Sequence, residues 1–375
     1  MRYFLIWAVF FNIFSAFCQE IPERDSLSLL FMGDIMGHDS QINSAMQPDS
    51  SYNYTECFSY LKPIISSVDM AVANLEVTLA GPPYKGYPQF SSPDALAIAA
   101  EEAGVDVMGT ANNHCLDRGK NGLIRTVQML DSLNISHTGT FSNAQEKNFR
   151  SPLLIKQNHI KVALISYTYG TNGIPVPSPV MVNIINLDSM AADIENARAA
   201  HPDKVILFIH WGIEYQREPN TTQQDIAKFC FNKGVDIIIG SHPHVIQKSV
   251  WVKDRTLNKE HFITYSLGNF LSNQRQPGTD GGQLIKLVLE KNGNQTQLVE
   301  SGYYLTWVYT PVIDGKKHFY VLPVAEYETR PEFFSTVDQF DMMKTYLDNS
   351  RKLLDSQNIN VHEYLFKDDK WIQHR

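Results

Sequence analysis

Short apolar runs recur along the chain, and each stops at a glycine or a polar residue. Leu27-Ser28-Leu29-Leu30-Phe31-Met32 stops at Gly33-Asp34, and Val68 to Ala73 runs into Asn74-Leu75-Glu76. Val105 to Met108 leads to Gly109-Thr110-Ala111-Asn112-Asn113-His114, and Lys204 to Ile209 leads to His210-Trp211-Gly212. Val235 to Ile239 ends at Gly240-Ser241-His242-Pro243-His244-Val245, and His261 to Leu267 ends at Gly268-Asn269-Phe270. With Lys161 to Tyr167, these runs predict buried strands. Helical spacing fills the gaps. Asp94 to Ala103 is stopped by Gly104, and Gly119 to Asn134 aligns Leu123, Val127 and Leu130. Asp188 to Ala200 starts at an Asp cap, and Thr221 to Lys233 is closed by Gly234.

Alternating strand and helix implies a layered α/β architecture. From Gly282 the texture changes. Gln283 to Glu290 and Gln297 to Val308 flank Lys291-Asn292-Gly293-Asn294, a hairpin signal. The expected organisation is a βα domain over 27–273, then a β-rich part, 274–330, completing a second sheet. Residues 331–375 are expected to be a helical extension packed outside.

The polar residues after the strands carry the chemistry. Asp34, Glu76, Asn113 with His114, His210, and His242 with His244 all sit just past an apolar run. In open α/β sheets that edge is where ligands bind. Singly, each has an ordinary explanation. Asp34 and Asn113 read as turn residues, Glu76 as a helix-start carboxylate, the histidines as hydrogen-bonded loop residues. Two histidines two apart in an extended segment project to one side. Together the set offers mixed oxygen and nitrogen donors without thiolates, which suits Mn, Fe or Zn. The number of donors suits two ions with a bridging carboxylate. An imidazole outside the ligand set protonates a leaving group, and Asp117, three residues after His114, is placed to orient it.

The ordered motifs resemble those of the CapA family, bacterial capsule or poly-γ-glutamate synthesis proteins similar to calcineurin-like metallophosphoesterases. They are Gly33-Asp34-Ile35-Met36, Asn74-Leu75-Glu76, Ala111 to Gly119, His210 to Tyr215, Gly240 to Val245, and Tyr265 to Phe270. The resemblance implies a four-layer αββα sandwich of the metallo-dependent phosphatase type, with a dinuclear centre. It makes Asp34 the first ligand, Glu76 the bridging carboxylate and Asn113 the amide ligand. His210, His242 and His244 supply imidazoles, with His242 and His244 on different ions, and His114 is the leaving-group acid. Glu214 and Asn269 belong to family motifs without a derivable role. Where the superfamily has a histidine two residues after the first Asp, this chain has Met36; His38 is the candidate to fill that gap.

Charge and composition narrow the partners. The 375-residue chain has a formal charge of −8 and no dense Lys/Arg run, which argues against nucleic acid. Met1-Arg2-Tyr3, an apolar run from Phe4 to Phe17 and Cys18 fit a signal peptide over 1–18, hence an exported, periplasmic or cell-surface protein. A lipid-modified Cys18 and an uncleaved anchor are the alternatives. Cys57, Cys115 and Cys230 form neither a disulfide framework nor a zinc knuckle. The loops Gly170 to Pro179 and Gly81 to Pro93, the latter with Tyr84, Tyr87 and Phe90, are candidate cleft walls. Two functions follow. One is a metal-dependent hydrolase of phosphoester type, acting on an anionic substrate or polymer in surface-polymer synthesis. The other is a non-catalytic component that binds metal or an anionic polymer beside membrane-bound synthesis machinery. Hydrolysis or ligation at an amide bond of a γ-linked polymer stays open as a third reading.

Overall fold

The computed structural model describes residues 25–254 and 259–374. The expected signal peptide, with Cys18, lies outside the described residues.

Two sheets stack face to face. The first has ten strands. Asp25–Ile35 lies at its middle, parallel to Met70–Leu75, which is followed by Val107–Gly109 and Ser136–Thr138. The second has six strands, with Ile237–Ser241 between Lys204–His210 and Lys259–Thr264. Period-two alternation decides what each face meets. In the central strand Leu29 and Phe31 point between the sheets, where they join Leu164, Ile206 and Ile239 of the second. Leu30 and Met32 point outward onto Leu96, Ala97 and Ala100 of the helix Ala95–Glu102. On the far side Ile165, Leu207 and Ile238 meet Met190, Ile194 and Ala197 of one helix, with Ala227 and Cys230 of the next. Helix, sheet, sheet, helix is the expected αββα sandwich.

Residues 274–330 do not complete a second sheet. Gly281–Asn292 and Gln295–Tyr309 form the expected hairpin, but they extend the first sheet. Gly281–Asn292 runs antiparallel to Asp25–Ile35, with Leu29 opposite Leu287. The physical reason is the open edge of that central strand, which would otherwise expose unpaired backbone groups. Ile285, Leu287 and Leu289 then face the inter-sheet core.

The C-terminal part is also more than a helical extension. The helix Val337–Gln357 buries Met343, Tyr346, Leu347 and Leu354 in the inter-sheet core, so it closes the sandwich. His362–Lys367 and Lys370–Gln373 then add a hairpin to the first sheet.

The helix Leu187–Ala199 is capped by Asn186, not Asp188. The Asn186 side chain accepts from the backbone N–H groups of Asp188 and Ser189, a carbonyl doing what the carboxylate was expected to do. Cys57, Cys115 and Cys230 are free and buried. Among the described residues no helix is long and apolar enough to cross a membrane.

Candidate metal centre

Central strands of the two sheets that end at the same edge deliver polar side chains into a common space. Asp34 lies at the end of the central strand of the first sheet, and Glu76 just beyond its neighbour. His210 ends the matching strand of the second sheet, and His242 and His244 follow the next one. Asp34 and Glu76 are completely buried.

Ligand atoms of Asp34, Glu76 and His210 lie within 4.8 Å of one another, and so do those of Glu76, His242 and His244. Glu76 belongs to both groups. Four atoms here are buried without a hydrogen bond: Asp34 Oδ2, both Glu76 carboxylate oxygens and His242 Nδ1. Buried polar atoms normally find a partner, so this many orphans in one place need an explanation. A divalent cation supplies one, and the oxygen–nitrogen donor set suits it. The residues present therefore fit a metal.

Neighbouring polar side chains orient the donors. Asn74 Nδ2 donates to Asp34 Oδ1 at 2.7 Å, leaving Oδ2 free. His210 Nδ1 is 2.9 Å from Ser241 Oγ, while its Nε2 is 2.8 Å from Asn113 Oδ1. His244 Nδ1 is 3.1 Å from Asn269 Oδ1 and 3.3 Å from Asp34 Oδ2, which leaves its Nε2 toward Glu76, 3.9 Å away. Such contacts at one ring nitrogen set the tautomer presented by the other.

The electrostatics divide the donors. Burial would raise Asp34, but the close approach of His244 Nδ1 and the charges of His210 and His244 hold it at about 2. Burial and the Asp34 charge push Glu76 well above the ordinary carboxylate range. His210 falls to about 3 through burial, and burial with the neighbouring imidazoles takes His242 well below its usual value. Both are thus neutral and ready to ligate. His244 behaves oppositely: burial lowers it, yet Glu76 and Asp34 outweigh that and raise it to about 9.

His114 stands outside both groups. Its Nδ1 is 2.7 Å from Asp117 Oδ2, so Nδ1 carries the proton shared with that carboxylate. Phe90 packs edge-on against the His114 ring at 4.7 Å, and its backbone N–H also donates to Asp117 Oδ2 at 2.7 Å.

Three readings change. The strand ends at Ser241, and His242 and His244 follow in left-handed backbone, φ 100° and 57°. The pair is therefore presented by a turn, not by an extended segment. That turn gathers both imidazoles with Glu76 and leaves His210 with Asp34, so the expected split of His242 and His244 between ions is not the grouping seen. His38 does not fill the gap left by Met36. It precedes the helix Asp39–Ala45, with its Nδ1 2.9 Å from Gln41 Oε1, and belongs to neither group. Met36 itself is packed in the core.

The model of one family, described as bacterial capsule synthesis protein PGA_cap, matches residues 28–274. The chain belongs to this family. Among its relatives, the capsule biosynthesis protein CapA of Bacillus anthracis is 27% identical over 284 residues, covering 72% of this chain and 66% of that one. The PGA biosynthesis protein CapA of Bacillus subtilis (strain 168) is 28% identical over 291 residues, covering 72% and 69%. A looser structural likeness is to the calcineurin-like phosphoesterase YfkN from Bacillus subtilis. It has 14% identity and a TM-score of 0.42, over 88% of this chain and 98% of that one.

In this CapA-family chain Asn74, Ser241 and Asn269 are site residues to which sequence reasoning gave no role. All three lie inside motifs that also hold a ligand candidate, which was the available signal. Tyr169 went unnoticed, because nothing in the sequence says that its ring lies 4.4 Å from that of His242. Gly240 explains why the motif opens with glycine. A Cβ there would overlap the Tyr265 carbonyl oxygen and lie 2.6 Å from Trp211 Nε1, which donates to that same oxygen at 3.0 Å. Gly240→Ala is expected to cost about 1–3 kcal/mol, the usual range for overpacking, as read from urea denaturation of the metal-free protein. A midpoint equal to wild type would show that the backbone there yields freely.

Proposed function

We propose that this chain is an exported CapA-family hydrolase of the phosphoesterase type. In this reading it carries two divalent ions (Mn, Fe or Zn) and acts on an anionic substrate or polymer in cell-surface polymer synthesis. The observation that carries the reading is Glu76, shared by two donor groups with both oxygens buried and without hydrogen bonds. Export is supported by the N-terminal apolar run, and the pathway by the family.

When bound, the ions would lower the pKa of a water so that it attacks at neutral pH. The rest falls to the chain. Asp34, Glu76, His210, His242 and His244 would hold the ions, with Asn113 Oδ1 as a neutral donor. Asp117 accepts the Nδ1 proton of His114 and would support the imidazolium form, whose Nε2–H would protonate a leaving oxygen and leave the neutral Nδ1–H ring behind. Phe90 walls off one edge of that ring from water. A non-catalytic metal- or polymer-binding component is the second reading. It is favoured by Met36, whose burial in the core leaves one superfamily ligand position without a donor.

The test is turnover of bis(p-nitrophenyl) phosphate by metal-stripped protein given Mn²⁺. Activity that appears with Mn²⁺, vanishes with chelator and falls at least about tenfold in His210→Ala supports hydrolysis. Stoichiometric Mn²⁺ binding without turnover, on this and on γ-glutamyl amide substrates, supports the second reading.

A further inference from the structure

The loop after the strand Ile160–Thr168 reaches into the centre, although nothing in its sequence names a ligand. Its backbone is fastened beside the site. Tyr169 N–H donates to the His210 carbonyl at 2.9 Å, and Thr171 Oγ1 donates to the Ile174 carbonyl at 2.6 Å. Ile174 and Val176 pack against the apolar cluster of Cys115, Leu116 and Val180. Asn172 therefore sits at the mouth on an anchored segment, with its backbone left-handed at φ 49°, a conformation asparagine tolerates.

Asn113 poses a problem that this loop solves. A side-chain amide has two ends of nearly equal shape, and only the oxygen can ligate a cation. Asn113 Nδ2 donates to Asn172 Oδ1 at 3.2 Å, beside Tyr169, whose ring lies stacked 6.3 Å from that of His210. With the nitrogen so engaged, Oδ1 is turned toward His210 Nε2, 2.8 Å away. The opposite flip would set two N–H groups against His210 and bring two oxygens together at Asn172.

Resting on the metal-binding reading above, we propose that Asn172 is a positioning residue of the centre, whose side-chain oxygen holds the Asn113 amide with Oδ1 toward the metal. Asn172 Nδ2 also lies 3.5 Å from His114 Nδ1, at the distance limit of a hydrogen bond, and toward the cation the residue acts through Asn113. Losing such an outer partner typically weakens a metal site by about 10–100-fold. Because Asn172 is exposed on its outer side, the lower end applies.

The experiment is Mn²⁺ titration of metal-stripped protein followed by electron paramagnetic resonance, with turnover kept as a separate measurement. Asn172→Gly keeps the left-handed backbone and removes the amide; Asn172→Asp keeps an oxygen in the same place. Glycine is expected to weaken Mn²⁺ binding about tenfold, and aspartate to restore it to wild type or tighter. Unchanged binding in Asn172→Gly would overturn the proposal. Equal weakening in both variants would also overturn it, by assigning the effect to loop structure. Wild-type protein that takes up no Mn²⁺ would remove the metal reading and the proposal with it. Wild-type binding with unaffected variants would remove only the proposal.

Discussion

Glu76→Gln is expected to move thermal stability in opposite senses with and without metal. In the metal-free protein Glu76 is fully buried beside the Asp34 charge, and both effects push its pKa well above the ordinary range. A carboxyl whose folded pKa is raised destabilises the fold at any pH above its unfolded value, because the fold resists its ionisation. Glutamine is neutral and of the same size, so the metal-free variant should melt at or above the wild-type temperature. With Mn²⁺ the sign reverses. Glu76 is the one residue common to both donor groups, so its charge is lost from two ions at once. A ligand at one hundred times its Kd stabilises by about 2.7 kcal/mol, which in a chain of this size is a shift of roughly 5 °C. The wild type should show that shift and Glu76→Gln should lose it. Differential scanning fluorimetry with chelator and with Mn²⁺ reads both arms. A variant that keeps the full Mn²⁺ shift would show that Glu76 is not shared by the ions.

The first half of the fold was legible because one rule serves both structure and site. Each buried strand ends where apolar residues give way, and the chemistry sits at those ends, so the pattern that finds Ile237–Ser241 also finds His242. The alternation of Leu29 and Phe31 against Leu30 and Met32 was likewise a fair guide to two packed faces. Strand partners were less readable. Gly281–Asn292 has a burial pattern that would suit either sheet, and its pairing with Asp25–Ile35 depends on which edge is open, a property of the assembled sheet. Local backbone was also hidden. An apolar strand followed by Ser-His-Pro-His does not announce left-handed φ at both histidines, and without it the two rings were expected on different ions, not in one group with Glu76. His38 looked free for ligation because Gln41, three residues on, is an ordinary polar residue until a helix begins there. Asn172 was reached only as part of the Gly170 to Pro179 loop, a candidate cleft wall, since that loop has neither periodicity nor a motif to single it out.

Metal affinity is expected to rise steeply with pH, with His244 as the main cause. Burial lowers its pKa, but the Glu76 charge and the Asp34 contacts prevail and set it at about 9 in the metal-free fold. A histidine raised in the fold contributes stability that is complete below its unfolded value of 6.5 and is lost as pH climbs through 9. Asp34 is the mirror case: held at about 2, it contributes stability above its unfolded 3.8 that fades as pH falls toward 2. The metal-free protein thus enjoys both contributions in full between 3.8 and 6.5. Ligation asks for the opposite of what stabilises the metal-free centre. His244 must give up the proton at Nε2 to bind a cation, and below pH 9 that proton has to be expelled first. Each unit of pH from 6.5 to 8.5 should therefore raise the apparent Mn²⁺ affinity about tenfold from this residue alone. Any proton still held by Glu76 would steepen the slope. Calorimetry at pH 7.5 in buffers of different ionisation enthalpy should find about one proton or more released per binding event. His244→Gln should bind more weakly and lose about one unit of that slope. If the wild-type affinity were flat across the same range, His244 would not be a ligand. Glu76 and the neutral imidazole of His242 would then have to hold that ion without it.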